Sequence, residues 1–223
     1  MLGIPRFRTK NGDRRRREDD LPLVRTKFGR ILELVQGRDV LDVGCIGGPG
    51  VVDLEQTSHG RLAKAARSLL GIDVAASEIE RRQEQGCDVV VADAESFHLG
   101  RKFDVIIAAD LIEHLGNSGA FLERAGEHLR PGGLLCIVTP NALSLNNALK
   151  SLAGLRVRVN AEHTCWYDRT TLRQLLARYG FQPVEEYWQD DQTHPLTTLA
   201  LRLRRNLAAH LIVIAGRSKT EAV

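Results

Sequence analysis

The chain has 223 residues, 43% hydrophobic and 26% charged, which suits one α/β domain with a buried core. This composition excludes a wholly disordered chain, and no apolar run approaches the roughly 18–20 residues of a membrane-spanning helix. The net charge of +3 arises entirely within residues 1–20, which hold seven basic and four acidic residues. The rest of the chain is neutral overall, so we expect no nucleic-acid partner.

The ends of the chain and its cysteines predict the domain limits and the compartment. We expect a disordered basic tail at 1–20, one domain at 21–217 and a short tail at 218–223. The sequence shows no secretory signal, and its cysteines stand far apart without zinc-binding spacing. These are Cys45, Cys87, Cys136 and Cys165. We therefore expect reduced thiols in a cytoplasmic protein.

The first predicted element after the tail is a helix. Asp20 would cap it, Pro22 would lie in its first turn and Gly37 would end it. Its apolar face would consist of Val24, Phe28, Ile31 and Val35. A buried strand over 39–44 then enters a glycine-rich loop at 47–50.

Helices and strands alternate along the rest of the chain. Helices are predicted at 59–68, 75–85, 118–129 and 170–179. Further strands are predicted at 69–73, 88–93, 103–110, 134–141, 182–188 and 210–215. This alternation is typical of an α/β fold with a doubly wound, mostly parallel sheet and helices on both of its faces.

Three of the predicted strands end in an aspartate: Asp73, Asp93 and Asp110. The carboxyl ends of parallel strands form one edge of the sheet, and ligands bind there beside the switch in strand order. An aspartate also caps helices, so one alone would be a weak signal. Three together with a glycine-rich loop predict a ligand site at this edge.

Six segments match the motifs of one enzyme family. In chain order they are residues 40–50 (VLDVGCIGGPG), Asp73, 93–95 (DAE), 110–115 (DLIEHL), 129–141 (LRPGGLLCIVTPN) and 162–181 (EHTCWYDRTTLRQLLARYGF). Their order and spacing resemble the class I S-adenosylmethionine-dependent methyltransferases, in the small-molecule branch that includes the ubiquinone-pathway O-methyltransferases. The resemblance runs over residues 21–217 and implies a seven-stranded Rossmann-like sheet.

The resemblance implies S-adenosylmethionine as the cofactor. Gly44 and Cys45 would lie under its amino acid part, and Asp73 would accept hydrogen bonds from both ribose hydroxyls. Asp93 would face the adenine amino group beside Ala94. The full set of expected cofactor-binding residues is Asp42, Gly44, Cys45, Asp73, Asp93, Ala94 and Asp110.

The implied reaction is methyl transfer to a small-molecule acceptor, most often on a hydroxyl oxygen. A general base would take the hydroxyl proton, and the two candidates are His114 and His163. In the ubiquinone-pathway relatives the acid-x-x-Glu-His motif, here Asp110, Glu113 and His114, is linked to a divalent metal. Mg²⁺ is therefore an implied second cofactor, but we do not expect it and assign no metal ligand.

Two segments without cofactor motifs bear on the acceptor. Residues 141–161 are predicted to form an acceptor lid, followed by Trp166 and Tyr167, which would stack on an acceptor. Residues 196–206 are apolar with late basic residues. They are interpreted as a connection before the last strand, with peripheral contact to a membrane or a lipid-like acceptor as the alternative.

Ile46 departs from the family pattern. It stands where the acid-x-Gly-x-Gly-x-Gly motif has its middle glycine, and a β-branched residue is unfavourable at positive φ. This keeps open a methyltransferase-like subunit that binds a partner without catalysis. A dinucleotide-dependent oxidoreductase is a second alternative, because Asp73 would also suit an NAD ribose, but Ile46 breaks the G-x-G-x-x-G pattern.

Overall fold

The structure, a computed structural model, describes residues 21–47, 57–157, 159–192 and 194–218. Several predicted features lie outside these residues. They are the tail at 1–20 with the Asp20 cap, the loop residues 48–50 and residues 219–223 of the second tail.

Eight strands form one open sheet. They are β1 (Leu23–Val24), β2 (Asp39–Val43), β3 (Ser68–Asp73), β4 (Val89–Val91), β5 (Phe103–Ala109), β6 (Leu129–Pro140), β7 (Phe181–Gln189) and β8 (His210–Arg217). Their order is β1-β7-β8-β6-β5-β2-β3-β4. Only β8 runs antiparallel to its neighbours, β6 and β7. The prediction of a doubly wound, mostly parallel sheet is confirmed, with one strand more than the seven expected.

Helices cover both faces of this sheet. They are α1 (Lys27–Val35), α2 (Ser58–Ala65), α3 (Ala76–Glu84), α4 (Ser118–His128), α5 (Leu145–Leu152), α6 (Arg169–Arg178) and α7 (Pro195–Leu203). Side chains of β5 alternate between two apolar clusters, as the period of two in a strand requires. Ile106 belongs to the cluster of α4 and α6, whereas Ile107 belongs to the cluster of α1 and α2.

The predicted start of the first helix is wrong. Thr26 caps α1, and its hydroxyl accepts a hydrogen bond from the Phe28 amide at 3.2 Å. The preceding residues extend the sheet instead, since β1 pairs in parallel with Trp188 and Gln189 of β7. Pro22 lies before β1, and its carbonyl accepts from the Trp188 amide at 2.9 Å. Pairing with a distant strand therefore overrides the local helix signal.

Two other segments are more regular than their sequences predict. The expected lid, 141–161, contains α5, none of whose residues is buried. The expected connection at 196–206 contains most of α7. Within the part of the chain that the structure describes, every helix is too short or too polar to cross a membrane.

The sheet topology fixes where a ligand site belongs. From β2 the chain adds β3 and β4 on one side, then returns to add β5 and β6 on the other. The strand order therefore switches between β2 and β5, and this crevice at the carboxyl ends is where such sheets bind ligands. Gly44 and Asp110 are the first residues after these two strands.

Candidate functional site

Gly44 makes the turn at the end of β2. Its φ of 75° lies in the left-handed region that glycine adopts without strain. A Cβ atom here would lie 3.0 Å from Cδ1 of Leu111. The amides of Gly44 and Cys45 both donate to the Ile72 carbonyl, at 2.9 and 3.2 Å. These two hydrogen bonds tie the turn to the end of β3.

Asp73 holds the loop after β2. Its Oδ2 accepts from the Ile46 amide at 3.0 Å, and its Oδ1 accepts from the Ala75 amide at 3.1 Å. Each carboxylate oxygen accepts up to two hydrogen bonds, so among the described residues one position remains on each. The binding of ribose hydroxyls by Asp73 stays a prediction.

Ile46 fits this loop without strain. Among the described residues other than glycine, positive φ occurs at Asp110 alone, so Ile46 avoids the left-handed region. Its side chain packs against the apolar cluster of Cys45, Ile79 and Val89. The backbone strain that the sequence predicts at Ile46 is therefore not present.

Asp42 lies beneath the loop with a partner that the sequence did not indicate. Its Oδ2 lies 2.9 Å from Nδ1 of His59, and both residues are buried. The sequence analysis placed Asp42 among the cofactor-binding residues and gave no role to His59. The contact makes Asp42 a support for the end of β2, and only proximity in the fold could have revealed it.

Asp93 and Ala94 follow β4 at the same edge of the sheet. The Asp93 carboxylate accepts from the Glu95 amide at 2.8 Å, and its carbonyl accepts from the Ser96 and Phe97 amides. Ala94 is buried in the main core. This tight turn places the backbone at 93–95 beside the end of β3.

Asp110 and Lys27 form an ion pair at the switch in strand order. Asp110 has a φ of 54°, and one of its carboxylate oxygens, Oδ1, is buried and has no hydrogen-bond partner among the described residues. Lys27 is the first residue of α1 and was missed by the sequence analysis. Its sequence position carries no motif, and only the packing of α1 brings it to the end of β5.

A carboxylate and two imidazoles cluster just beyond β5. Ligating atoms of Glu113, His114 and His163 all lie within 4.8 Å of one another. The two imidazole rings meet edge to face, with centroids 4.6 Å apart. Glu113 is buried, and its Oε2 accepts from the Thr139 hydroxyl at 2.9 Å while its Oε1 has no partner. The two predicted bases, His114 and His163, therefore lie next to each other, and the buried Glu113 carboxylate lies beside both.

A cavity of about 180 Å³ opens beside this cluster. Its walls include polar and aromatic side chains from the turns after β5 and β6, from α5, from β8 and from the segment before α6. Among them are Glu113, Asn141, Asn147, His163, Trp166 and His210. His163 lines the cavity, but His114 does not. Trp166 is 45% exposed at the cavity, whereas Tyr167 is buried and its hydroxyl lies 2.8 Å from that of Ser118.

Burial sets the protonation states around the cavity. It raises the pKa of Glu113 to about 7, with a smaller contribution from the charge of Asp110. Burial, together with the neighbouring His114, lowers the pKa of His163, and burial also lowers that of His210. His163 is consequently neutral at pH 7 and able to accept a proton.

These residues do not fit the Mg²⁺ site that the sequence resemblance implies. Mg²⁺ prefers octahedral oxygen ligands, but the clustered atoms comprise one carboxylate and two imidazole nitrogens. The other carboxylate of the motif, that of Asp110, lies outside this cluster and is paired with Lys27. No step of the chemistry below uses a metal.

The raised pKa of Glu113 predicts a pH-dependent stability. The pKa of Glu113 is about 7 in the folded state, compared with the usual 4.5, which applies in the unfolded state. Between these two pH values the folded state binds the proton more tightly, so the free energy of unfolding falls as the pH rises. Glu113→Gln removes this titration. We subtract the free energy of unfolding of the wild type from that of Glu113→Gln, both measured by urea unfolding. We expect this difference to increase by about 1–3 kcal/mol from pH 5 to pH 8, because the wild type loses stability over this range. A difference independent of pH would contradict this.

Gly71 is predicted to be essential for packing under the loop. A Cβ atom at this position of β3 would lie 2.7 Å from both Cys45 Sγ and His59 Cε1, and 2.8 Å from Val89 Cγ1. We expect Gly71→Ala to lower the free energy of unfolding by about 1–3 kcal/mol. Gly29→Ala is the control, because Gly29 is an exposed position of α1 where a Cβ would meet nothing closer than 4.0 Å, and it should stabilise by about 0.5–1 kcal/mol. Urea unfolding measures both, and equal effects would refute the packing argument.

Comparison with known proteins identifies one family. The model of a family described as "Methyltransferase domain" matches residues 14–186. The ubiquinone biosynthesis O-methyltransferase of Azorhizobium caulinodans is 32% identical over 157 residues, which are 65% of this chain and 54% of that protein. The chain thus spans about half the length of the curated relatives it matches.

Solved structures with little sequence identity share the fold. A SAM-dependent methyltransferase from Archaeoglobus fulgidus superposes with a TM-score of 0.61 at 18% identity, covering 84% of this chain and 90% of that one. Magnesium protoporphyrin IX methyltransferase from Synechocystis PCC 6803, solved with bound SAH, gives a TM-score of 0.57 at 17% identity, covering 85% and 81%.

Proposed function

Because the chain belongs to the methyltransferase domain family, we propose that it transfers the methyl group of S-adenosylmethionine to a hydroxyl oxygen of a small molecule. The observation that carries this proposal is a group of buried polar atoms without partners at one edge of the sheet. Among the described residues these include Asp110 Oδ1, Glu113 Oε1 and His210 Nδ1. Such atoms are costly in a folded protein unless a ligand completes their hydrogen bonds.

The ends of β2, β3, β4 and β5 would hold the cofactor. Its methionine part carries an ammonium and a carboxylate group. In the Asp110–Lys27 pair, Asp110 would bind the ammonium group and Lys27 would bind the carboxylate group. The turn at Gly44, where a Cβ atom would come within 3.0 Å of Leu111, would lie under this part of the cofactor. The remaining acceptor positions of Asp73 would bind the ribose hydroxyls. Asp93 and Ala94 would lie beside the adenine.

The cavity next to His163 would hold the acceptor. Its wall includes Asn147 of α5 and Val159, so part of the segment 141–161 would cover the acceptor as the predicted lid. Glu113 Oε1 would bind an acceptor hydroxyl, and exposed Trp166 would pack against its apolar body. The exposed leucines Leu143, Leu149 and Leu155 suit an acceptor with an apolar extension.

The chemistry requires a positioned oxygen and a base. When bound, S-adenosylmethionine supplies an electrophilic methyl group on a sulfonium sulfur and leaves as S-adenosylhomocysteine. His163 would take the acceptor's hydroxyl proton as the oxygen forms its bond to the methyl carbon, and would release that proton to solvent. His114 would orient the His163 ring by their edge-to-face contact. Much of the rate increase over the uncatalysed reaction would come from holding the cofactor and the acceptor in the right orientation in one crevice.

Calorimetric titration with S-adenosylhomocysteine tests the proposal, with NAD as the comparison. We expect saturable micromolar binding of S-adenosylhomocysteine and none of NAD. Binding of S-adenosylhomocysteine without methyl release from S-adenosylmethionine to any phenol of a panel would favour the non-catalytic subunit. Binding of NAD alone would favour the oxidoreductase.

A further inference from the structure

A second depression lies away from the acceptor cavity, between the start of the described chain and α7. This groove, of about 470 Å³, shares no lining residue with the acceptor cavity. Three arginines, a threonine and two leucines line most of it. They are Arg25, Arg202, Arg205, Thr198, Leu23 and Leu201. None of the described residues that line it is acidic.

Among the described residues, the three arginines have no acidic partner. Arg25 donates there to the Gln192 carbonyl, at 2.8 Å, and Arg205 to the Leu21 carbonyl, at 3.2 Å. Arg202 has no hydrogen bond or ion pair in the described part of the chain. Other arginines differ, since Arg30 binds Glu185 and Arg130 binds both Asp39 and Asp104. Three arginines without an acidic partner in the described chain thus line one groove.

Like charges that converge on a groove repel one another, and a multivalent anion would remove this cost. A guanidinium group pairs with two oxygens of a phosphate through parallel hydrogen bonds. The hydroxyl of Thr198 adds a neutral donor to the same surface. We propose that this groove binds a phosphate group, carried by a soluble compound or by a phospholipid headgroup.

The surroundings of the groove suit a phosphate attached to an apolar body. Leu199 and Leu203 lie on α7 near Arg202 and are 55% and 73% exposed. Apolar side chains beside cationic ones on a helix are typical of surfaces that lie at a lipid interface. The phosphate site is a proposal separate from methyl transfer, and none of its residues belongs to the proposed methyl-transfer site. An experiment can therefore refute one proposal without refuting the other.

Binding of the full chain to two probes tests the proposal. The first probe is inorganic pyrophosphate, and the second is vesicles of phosphatidylglycerol in phosphatidylcholine, all at one ionic strength. Arg202→Glu is the test variant and Arg178→Glu the control, because both arginines are exposed in the last turn of a helix. The substitutions change net charge and helix-end charge equally. The basic residues of 1–20 are unchanged in both variants.

We expect Arg202→Glu to weaken binding of at least one probe by about tenfold or more, with Arg178→Glu unchanged. Weakened binding of pyrophosphate identifies a site for a phosphate group from a soluble source. Weakened binding of vesicles alone identifies a phospholipid headgroup. Equal losses in the two variants, or no binding of either probe by the wild type, overturn the proposal. Circular dichroism melting confirms that the variants are folded.

Discussion

Replacing His163 with alanine is expected to lower the rate of methyl transfer to a phenolic acceptor by about 10²–10⁴-fold. The reason is positional, since His163 lines the acceptor cavity beside buried Glu113. Its lowered pKa keeps the ring neutral at pH 7. The affinity for S-adenosylhomocysteine should stay unchanged, because His163 lines the proposed acceptor cavity and is not among the residues proposed to hold the cofactor. The rate is measured by release of labelled methyl groups into product.

His114→Ala is the matched control for this prediction. The His114 ring contacts His163 but does not line the cavity, so its loss should lower the rate far less. Imidazole added to the buffer should restore part of the activity of His163→Ala and none of that of His114→Ala. If His114→Ala had the larger effect and imidazole rescued it, the assignment of the base would be reversed.

Replacing Asp73 with alanine is expected to weaken binding of S-adenosylhomocysteine by about 10²–10⁴-fold. A hydrogen bond to a charged group contributes about 1.5–3 kcal/mol, and Asp73 would make two such bonds to the ribose. The same carboxylate also holds the Ile46 and Ala75 amides, so its loss releases the loop. Calorimetric titration measures the affinity.

Two further variants separate the direct effect of Asp73 from a general loss of charge. Asp73→Asn keeps one acceptor oxygen and should give an intermediate affinity. Asp88→Ala removes an exposed carboxylate just before β4, at the opposite edge of the sheet, and should bind normally. Wild-type affinity in Asp73→Ala would show that the ribose lies elsewhere.

Periodicity and turn chemistry predicted most of the sheet because the strands around β2 are continuous apolar runs. The helix over 118–129 and the strand over 103–110 each lie within a residue of α4 and β5. The acids after β3, β4 and β5 were predictable for the same reason, since a strand end is visible in the chain itself. The cytoplasmic location stays a prediction.

The features that the sequence analysis missed all depend on contacts between distant residues. β1 exists through pairing with β7, although its residues continue a helical pattern. His59 is buried through its contact with Asp42, and Lys27 reaches Asp110 across 83 positions of sequence. Ile46 is the opposite case, because its local sequence suggested strain that the packing of the loop avoids.

Hydrogen exchange with and without S-adenosylhomocysteine tests the central claim most directly, because it reports where the cofactor binds. With S-adenosylhomocysteine bound, we expect slower hydrogen exchange in peptides covering residues 43–47 and 92–97, at the ends of β2 and β4. Peptides covering α7 should exchange at the same rate in both conditions. Unchanged exchange at 43–47 and 92–97 in the presence of saturating S-adenosylhomocysteine would contradict the proposed site.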